Sequence, residues 1–243
     1  MSACIWPFVL RISSFLRHCT LGAALEGGAV QLGCYAESYI SVAPVGVLNV
    51  NLANDSFVTV VSGLPRSGTS MMMHMLSSGG LPLLTDDARS ADADNPQGYL
   101  EFAPVLRTRT DSSWVGAARG KAVKVIYGLL RDLPAEYTYR IVFMQRQLEE
   151  VVRSQQVMLE RRGEPGAGLA PDKMIDLFAR QVREIQTWLD QQPNVRVLYV
   201  PYADVVKEPP GEAQRVADFL ALELDIAAMA EVVDATLYRQ RKK

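Results

Sequence analysis

Histidine and cysteine are scarce in this chain, and their scarcity removes whole classes of chemistry. Its 243 residues include only two histidines, His18 and His74, and three cysteines, Cys4, Cys19 and Cys34. There is no CxxC pair and no histidine cluster, so neither a zinc site nor a disulfide framework is expected, and the odd cysteine count fits a reducing cytoplasm. Net charge is equally thin. Against 27 Asp and Glu stand 25 Lys and Arg, a balance of −2 that cannot gather nucleic acid or an anionic membrane over the whole surface. Long apolar runs are missing as well. The stretch Cys4–Leu10 is short, contains Pro7 and follows no basic segment, so it reads neither as a span nor as a secretory signal. No later stretch reaches the roughly 18 apolar residues of a spanning helix. Any anion this protein binds must be held by a local cluster, which suits a small phosphorylated ligand better than a polymer.

What the sequence does have is a regular alternation of strand and helix signals. Hydrophobic content of 49% and charged content of 21% support one buried core. The composition breaks near Asn54-Asp55. Before that point the charged residues are Arg11, Arg17, Glu26 and Glu37, without helical or strand period. Residues 1–55 therefore read as an N-terminal extension and 56–243 as the domain. Phe57–Val61 is a β-branched run suited to a strand buried on both faces, and Thr69–Ser78 reads as a helix closed by Gly79-Gly80. Further strands are expected at Leu81–Leu84, Lys121–Ile126, Tyr139–Met144 and Asn194–Val200. Helices are expected at Leu148–Arg161, from an Asp172 N-cap to Asp190, at Glu212–Leu220 and at Ile226–Leu237. In the second of these, Ile175, Phe178, Val182, Ile185 and Leu189 recur at steps of three or four. The alternation implies an α/β, three-layer fold with a mainly parallel sheet and helices on both faces.

The segment Gly63-Leu64-Pro65-Arg66-Ser67-Gly68-Thr69-Ser70 joins the first strand to the first helix. Backbone N–H groups and the helix dipole converge on an anion in that geometry. Arg66 adds a forked, charge-assisted donor, and Ser67, Thr69 and Ser70 add hydroxyls. The Gly63-to-Gly68 spacing matches the P-loop of nucleotide triphosphatases, but Thr69 stands where the phosphate-reaching lysine belongs. The plain alternative is a turn that merely links a strand to a helix.

With Ser62 in front, this loop resembles the 5′-phosphosulfate-binding loop of the sulfotransferases. In that family a basic residue inside the loop, here Arg66, replaces the Walker lysine. The family's second motif is an arginine at a strand end and a serine eight residues later on the following helix. Arg146 and Ser154 stand in that relation. The resemblance runs from Phe57 to the end of the sequence and is nearest in style to the compact bacterial members. It implies a P-loop nucleotide-hydrolase-like fold and 3′-phosphoadenosine-5′-phosphosulfate as donor. Arg66, Ser67, Gly68, Thr69 and Ser70 would hold the 5′ end, with Arg146 and Ser154 on the 3′-phosphate. It implies no metal, and a small-molecule or carbohydrate acceptor carrying a hydroxyl or amine. Met71-Met72 replace the aromatic residue that often follows the loop. The late Gly-rich basic segment is absent, leaving Arg239, Arg241, Lys242 and Lys243 without glycines.

Sulfuryl transfer needs an in-line acceptor, a base, and positive charge on the moving group. Lys124 on the expected third strand is a second source of charge. Family members with a Lys-x-His on that strand use the histidine as base, and here the triplet is Lys124-Val125-Ile126. His74 lies among methionines behind the loop and reads as a packed residue. Other family members use a carboxylate shortly after the second strand, the place held here by Asp86 and Asp87, and Glu101 is the other reachable acid. The chain returns Asp86 toward the same crevice, so the order is Asp86, Glu101, Asp87. Glu101 qualifies only if Asn95–Gly98 folds back over the donor. Solvated loop acids are the plain alternative for all three. Two other functions remain open: a magnesium-dependent P-loop phosphotransferase, and a nucleotide-binding relative without catalysis.

Overall fold

The computed structural model describes residues 56–86, 91–92, 95, 97–166 and 168–238. The expected extension at 1–55, Asp87, and the basic residues Arg239, Arg241, Lys242 and Lys243 lie outside the described residues.

Four parallel strands, β1 (Val58–Gly63), β2 (Ala122–Lys124), β3 (Tyr139–Gln145) and β4 (Val195–Pro201), form one sheet in the order β2-β1-β3-β4. The central strand β1 is buried along its whole length, as its run of β-branched residues requires. Around the sheet lie α1 (Thr69–Ser78), α2 (Leu148–Arg162), α3 (Pro171–Leu189), α4 (Tyr202–Lys207), α5 (Pro209–Leu220) and α6 (Ile226–Glu231). The crossover from β1 leads to β2 on one side, and that from β3 leads to β4 on the other. Right-handed crossovers running in opposite directions put α1 and α3 on opposite faces of the sheet. One core joins Val61, Val142, Met144 and Val200 of the sheet to Met72, Met73 and Leu76 of α1, Val216 and Leu220 of α5, and Met229 of α6. The α/β, mainly parallel, three-layer expectation holds.

The differences from the sequence expectation are local. Leu81–Leu84 is not a strand. Leu83 makes an isolated parallel bridge to Ala122, because β2 is only three residues long and offers little ladder to extend. Helix α3 starts at Pro171 with Ala170 as its N-cap, so Asp172 is a first-turn acid near the helix dipole, not the cap. The last expected helix breaks at Val232 and resumes as a single 3₁₀ turn, Ala235–Leu237, capped by the Asp234 carboxylate. Helix α4 and the 3₁₀ turns at Ala103–Arg107, Ser113–Ala118 and Tyr127–Asp132 carried no periodic signal long enough to read. Among the described residues no helix is long and apolar enough to cross a membrane.

On α3 the buried face is Met174, Phe178, Ile185 and Leu189, with Ile175 and Val182 half-buried beside it. Phe178 is among the largest fully buried side chains. Phe178→Ala should cost about 3–5 kcal/mol, the usual range for an aromatic cavity, and chemical denaturation should show it as a lower midpoint with an unchanged slope.

Candidate functional site

In the order β2-β1-β3-β4 the connections leave β1 and β3 in opposite directions, so the switch point of the sheet lies between these neighbours. Open α/β sheets bind ligands at such a point, outside the carboxyl ends of the strands. The loop after β1 and the arginine after β3 both begin there, with Gly63 in register with Met144.

The loop's shape is set by two glycines and one strained arginine. A Cβ on Gly63 (φ +146°) would lie 2.6 Å from the Met144 carbonyl oxygen, and one on Gly68 (φ +102°) 2.5 Å from the Tyr202 ring. Arg66 is left-handed at φ +74°, a conformation that costs a non-glycine residue about 1–3 kcal/mol and persists only where the surroundings hold it. The hold is visible. The Arg66 carbonyl accepts from Arg146 Nη1 at 3.1 Å, and the Pro65 carbonyl accepts from Gln155 Nε2 at 3.3 Å. Two successive carbonyls are thus drawn toward the β3–α2 side. Gly68 gives α1 no side-chain cap, which leaves the helix N-terminus open to an anion. Ser67 Oγ is buried without a partner beneath this loop.

The side chains named from the sequence meet here. Arg66 Nε donates to Ser154 Oγ at 3.0 Å, across 88 residues of chain. Lys124, nearly buried, donates from Nζ to Ser70 Oγ at 3.0 Å and to the Tyr99 carbonyl. Asn95 Nδ2 donates to the same Ser70 oxygen at 2.9 Å. The turn at Asn95–Gly98 therefore does fold back onto the head of α1. Thr69 occupies the first position of α1.

The two described carboxylates lie on segments stitched together. Thr85 Oγ1 and the Asp86 N–H both donate to the Glu101 carbonyl, at 2.9 and 3.2 Å. Asp86 is exposed, and its Oδ2 accepts from the Ala103 N–H at 2.6 Å, heading the 3₁₀ turn there. Glu101 is two residues from Tyr99, whose carbonyl meets Lys124.

Several residues here were not picked from the sequence. Arg146 Nε donates to Glu150 Oε2 at 2.9 Å, and both side chains are nearly buried. The Arg146 guanidinium sits 4.6 Å from the Tyr202 ring and 5.1 Å from the Tyr238 ring, within cation–π reach. These two rings meet edge to face, and the Tyr238 hydroxyl donates to Glu150 Oε1 at 2.9 Å. Burial, then the Glu150 hydrogen bond and charge, push the Tyr238 phenol above its ordinary pKa, which keeps it a donor. A cleft of about 440 Å³ opens beside them, lined by Leu64, Ser67, Arg146, Val182, Tyr202 and Tyr238. The spacing of Arg146 and Glu150, four apart at the start of a helix, was the one signal available in advance.

Fold and site together define an α/β protein with a parallel sheet, in which the loop after β1 and the arginine–serine pair after β3 are hydrogen-bonded to each other at the switch point. The model of the sulfotransferase family matches residues 138–225, the stretch from β3 to just past α5 that includes Arg146 and Ser154. The loop between β1 and α1 precedes that match. The chain is also similar to solved sulfotransferase structures. One is the sulfotransferase domain of the curacin biosynthetic pathway, with 15% identity over 73% of this chain and 78% of that one and a TM-score of 0.46. Another is the sulfotransferase domain of the Synechococcus PCC 7002 olefin synthase, with 16% identity over 79% and 90% and a TM-score of 0.46. A third is mouse sulfotransferase SULT7A1 complexed with PAP, with 14% identity over 76% and 64% and a TM-score of 0.49. No curated protein matches the chain.

His74 lies on α1 behind the loop, half-buried, with Nε2 lacking a partner. Burial lowers its pKa, the Gly98 carbonyl opposes that, and the Lys124 charge lowers it further. With the folded value below the unfolded one, the unfolded chain takes up the proton first as pH falls. Stability is therefore full above the ordinary value of 6.5 and drains below it. His74→Gln should flatten the fall in denaturation midpoint between about pH 7 and 5, measured by urea titration at each pH.

Proposed function

We propose that this chain is a sulfotransferase that moves a sulfuryl group from 3′-phosphoadenosine-5′-phosphosulfate to a hydroxyl or amine of a small-molecule or carbohydrate acceptor. The observation that carries this reading is the direct bonding of its two anion-gripping elements, Arg66 to Ser154 and Arg146 to the Arg66 carbonyl. An arginine–serine contact between two otherwise separate elements is a site whose donors are already gathered. A ligand with phosphates at both ends can take those donors over from each other. The 5′-phosphosulfate would lie on Arg66, Ser67, Gly68, Thr69 and Ser70, and the 3′-phosphate on Arg146 and Ser154. The adenine ring would lie toward Tyr202 and Tyr238, in the cleft beside them. Its volume is within the ordinary range for a small ligand, about 300–1,000 Å³.

In the reaction the acceptor oxygen or nitrogen forms a bond to sulfur as the bond from sulfur to the 5′-phosphate oxygen breaks. The acceptor proton passes to a base, and adenosine 3′,5′-bisphosphate leaves. Charge builds on the sulfonate and the bridging oxygen. Lys124, steadied by Ser70 and the Tyr99 carbonyl, is the cation for it, with Arg66 and the head of α1 on the phosphate side. For the base we place Glu101 ahead of Asp86. The fold-back of Asn95 onto Ser70 draws the segment leading to Glu101 toward the head of α1, which supports Glu101, and the Asp86 carboxylate already serves the Ala103 N–H.

Adenosine 3′,5′-bisphosphate should raise the melting temperature without magnesium, which a P-loop phosphotransferase binding ATP would need. Arg66→Ala should remove most of that rise, since a charge-assisted contact contributes about 1.5–3 kcal/mol. A metal-dependent shift with ATP and none with the bisphosphate would sink the donor assignment. For the base, Glu101→Gln should lower turnover by about 10²–10⁴-fold with donor binding retained. If Asp86→Asn does so instead, the base moves there, and if neither does, no carboxylate of this pair is the base. Turnover would be followed with labelled donor across phenols, carbohydrates, amines and lipids.

A further inference from the structure

Glu150 is almost fully buried, in a site read above as binding a polyanion. A buried carboxylate there repels the ligand, so its presence calls for a compensating use. Both of its oxygens are engaged at the site: Oε2 with Arg146 Nε at 2.9 Å, and Oε1 with the Tyr238 hydroxyl at 2.9 Å. We infer that Glu150 is the positioning residue for the 3′-phosphate subsite, aiming Arg146 at the phosphate without touching it. This rests on the donor reading above.

A guanidinium has five N–H groups in a fixed fork. Glu150 takes the Nε donor, and the Arg66 carbonyl takes one from Nη1. The Tyr202 and Tyr238 rings hold the guanidinium from their faces at 4.6 and 5.1 Å. The in-plane rotation and the tilt are both fixed, and the N–H groups not used by Glu150 and Arg66, one on Nη1 and both on Nη2, remain for a phosphate. Glu150 also holds Tyr238, so one carboxylate sets the arginine and one of the rings that steady it. Its own charge is favoured by its place in the first turn of α2, at the positive end of the helix dipole. Gln at this position keeps the shape and one acceptor oxygen but loses the charge and the second acceptor. The arginine would then hold its aim less well.

The test separates aim from packing by measuring what the 3′-phosphate alone is worth. The dissociation constants of full-length protein for adenosine 5′-monophosphate and adenosine 3′,5′-bisphosphate are measured by calorimetry, and their ratio is the readout. Arg146→Ala is the reference for a ratio with the arginine gone. Glu150→Gln should shrink the ratio about tenfold toward that reference while leaving 5′-monophosphate affinity within about twofold, a tenfold change being the size expected of a supporting residue that orients a ligand-binding group. Tyr238→Phe, which keeps the ring and removes one partner of Glu150, should shrink it by a smaller factor and covers the case in which Glu150→Gln fails to fold. The inference is overturned if Glu150→Gln leaves the ratio unchanged or raises it, or if it weakens both nucleotides equally, since that is a packing defect. A wild-type ratio of one would instead overturn the donor reading on which the inference stands.

Discussion

The parallel pairing of β1 with β3 is the constraint on which this molecule depends. Its register sets Gly63 beside Met144, so the chain leaves both strands at one level of the sheet. Three residues beyond Gly63 comes Arg66, and two beyond Met144 comes Arg146. A slip of one residue would turn every side chain of β3 to the other face. It would also part Arg146 from the carbonyl that it holds. Burial on both faces enforces the register: Val60, Val61, Ile141 and Val142 are fully buried, and none tolerates exchange of its face.

From that register follows an unusual division of labour in the loop. Tight loops commonly rely on glycine where φ turns positive, and here Gly63 and Gly68 meet that need at the two ends. Between them Arg66 takes a left-handed conformation without the benefit of glycine. The strain is held by hydrogen bonds from Arg146 and Gln155, both reached from the far side of the switch point. Loop geometry is therefore a tertiary property. The buried pair of Arg146 and Glu150 belongs to the same logic. Such a pair is often close to neutral in stability against an apolar replacement, whereas loss of one partner leaves an uncompensated buried charge.

How much of this could be read in advance depended on range. Strands β1 and β3 and helices α1, α2 and α3 were legible because each is a long, consistent run of β-branched residues or of apolar residues at helical spacing. Arg66, Ser70, Arg146 and Ser154 could be named as candidates because they belong to short local patterns at strand ends. Leu81–Leu84 misled because apolar residues without a partner ladder look like a strand. Tyr202 and Tyr238 were missed because nothing local marks them: their role exists only where β4, the last 3₁₀ turn and the end of β3 converge. The place of Asn95 was legible only as a condition, since folding back onto Ser70 is a contact across 25 residues without a periodic signal.

The failed strand at Leu81–Leu84 has a consequence for the outer margin of the sheet. A three-residue edge strand such as β2 presents open backbone groups to any passing chain. Ala122, at its head, is already spent on both counts: its N–H goes to the Pro82 carbonyl and its carbonyl to the Leu84 N–H, each at 2.8 Å. Those two bonds bracket Leu83, which holds the margin as a plug rather than as a fifth strand. Growth of the sheet by a foreign strand at Ala122 would require this plug to be expelled first.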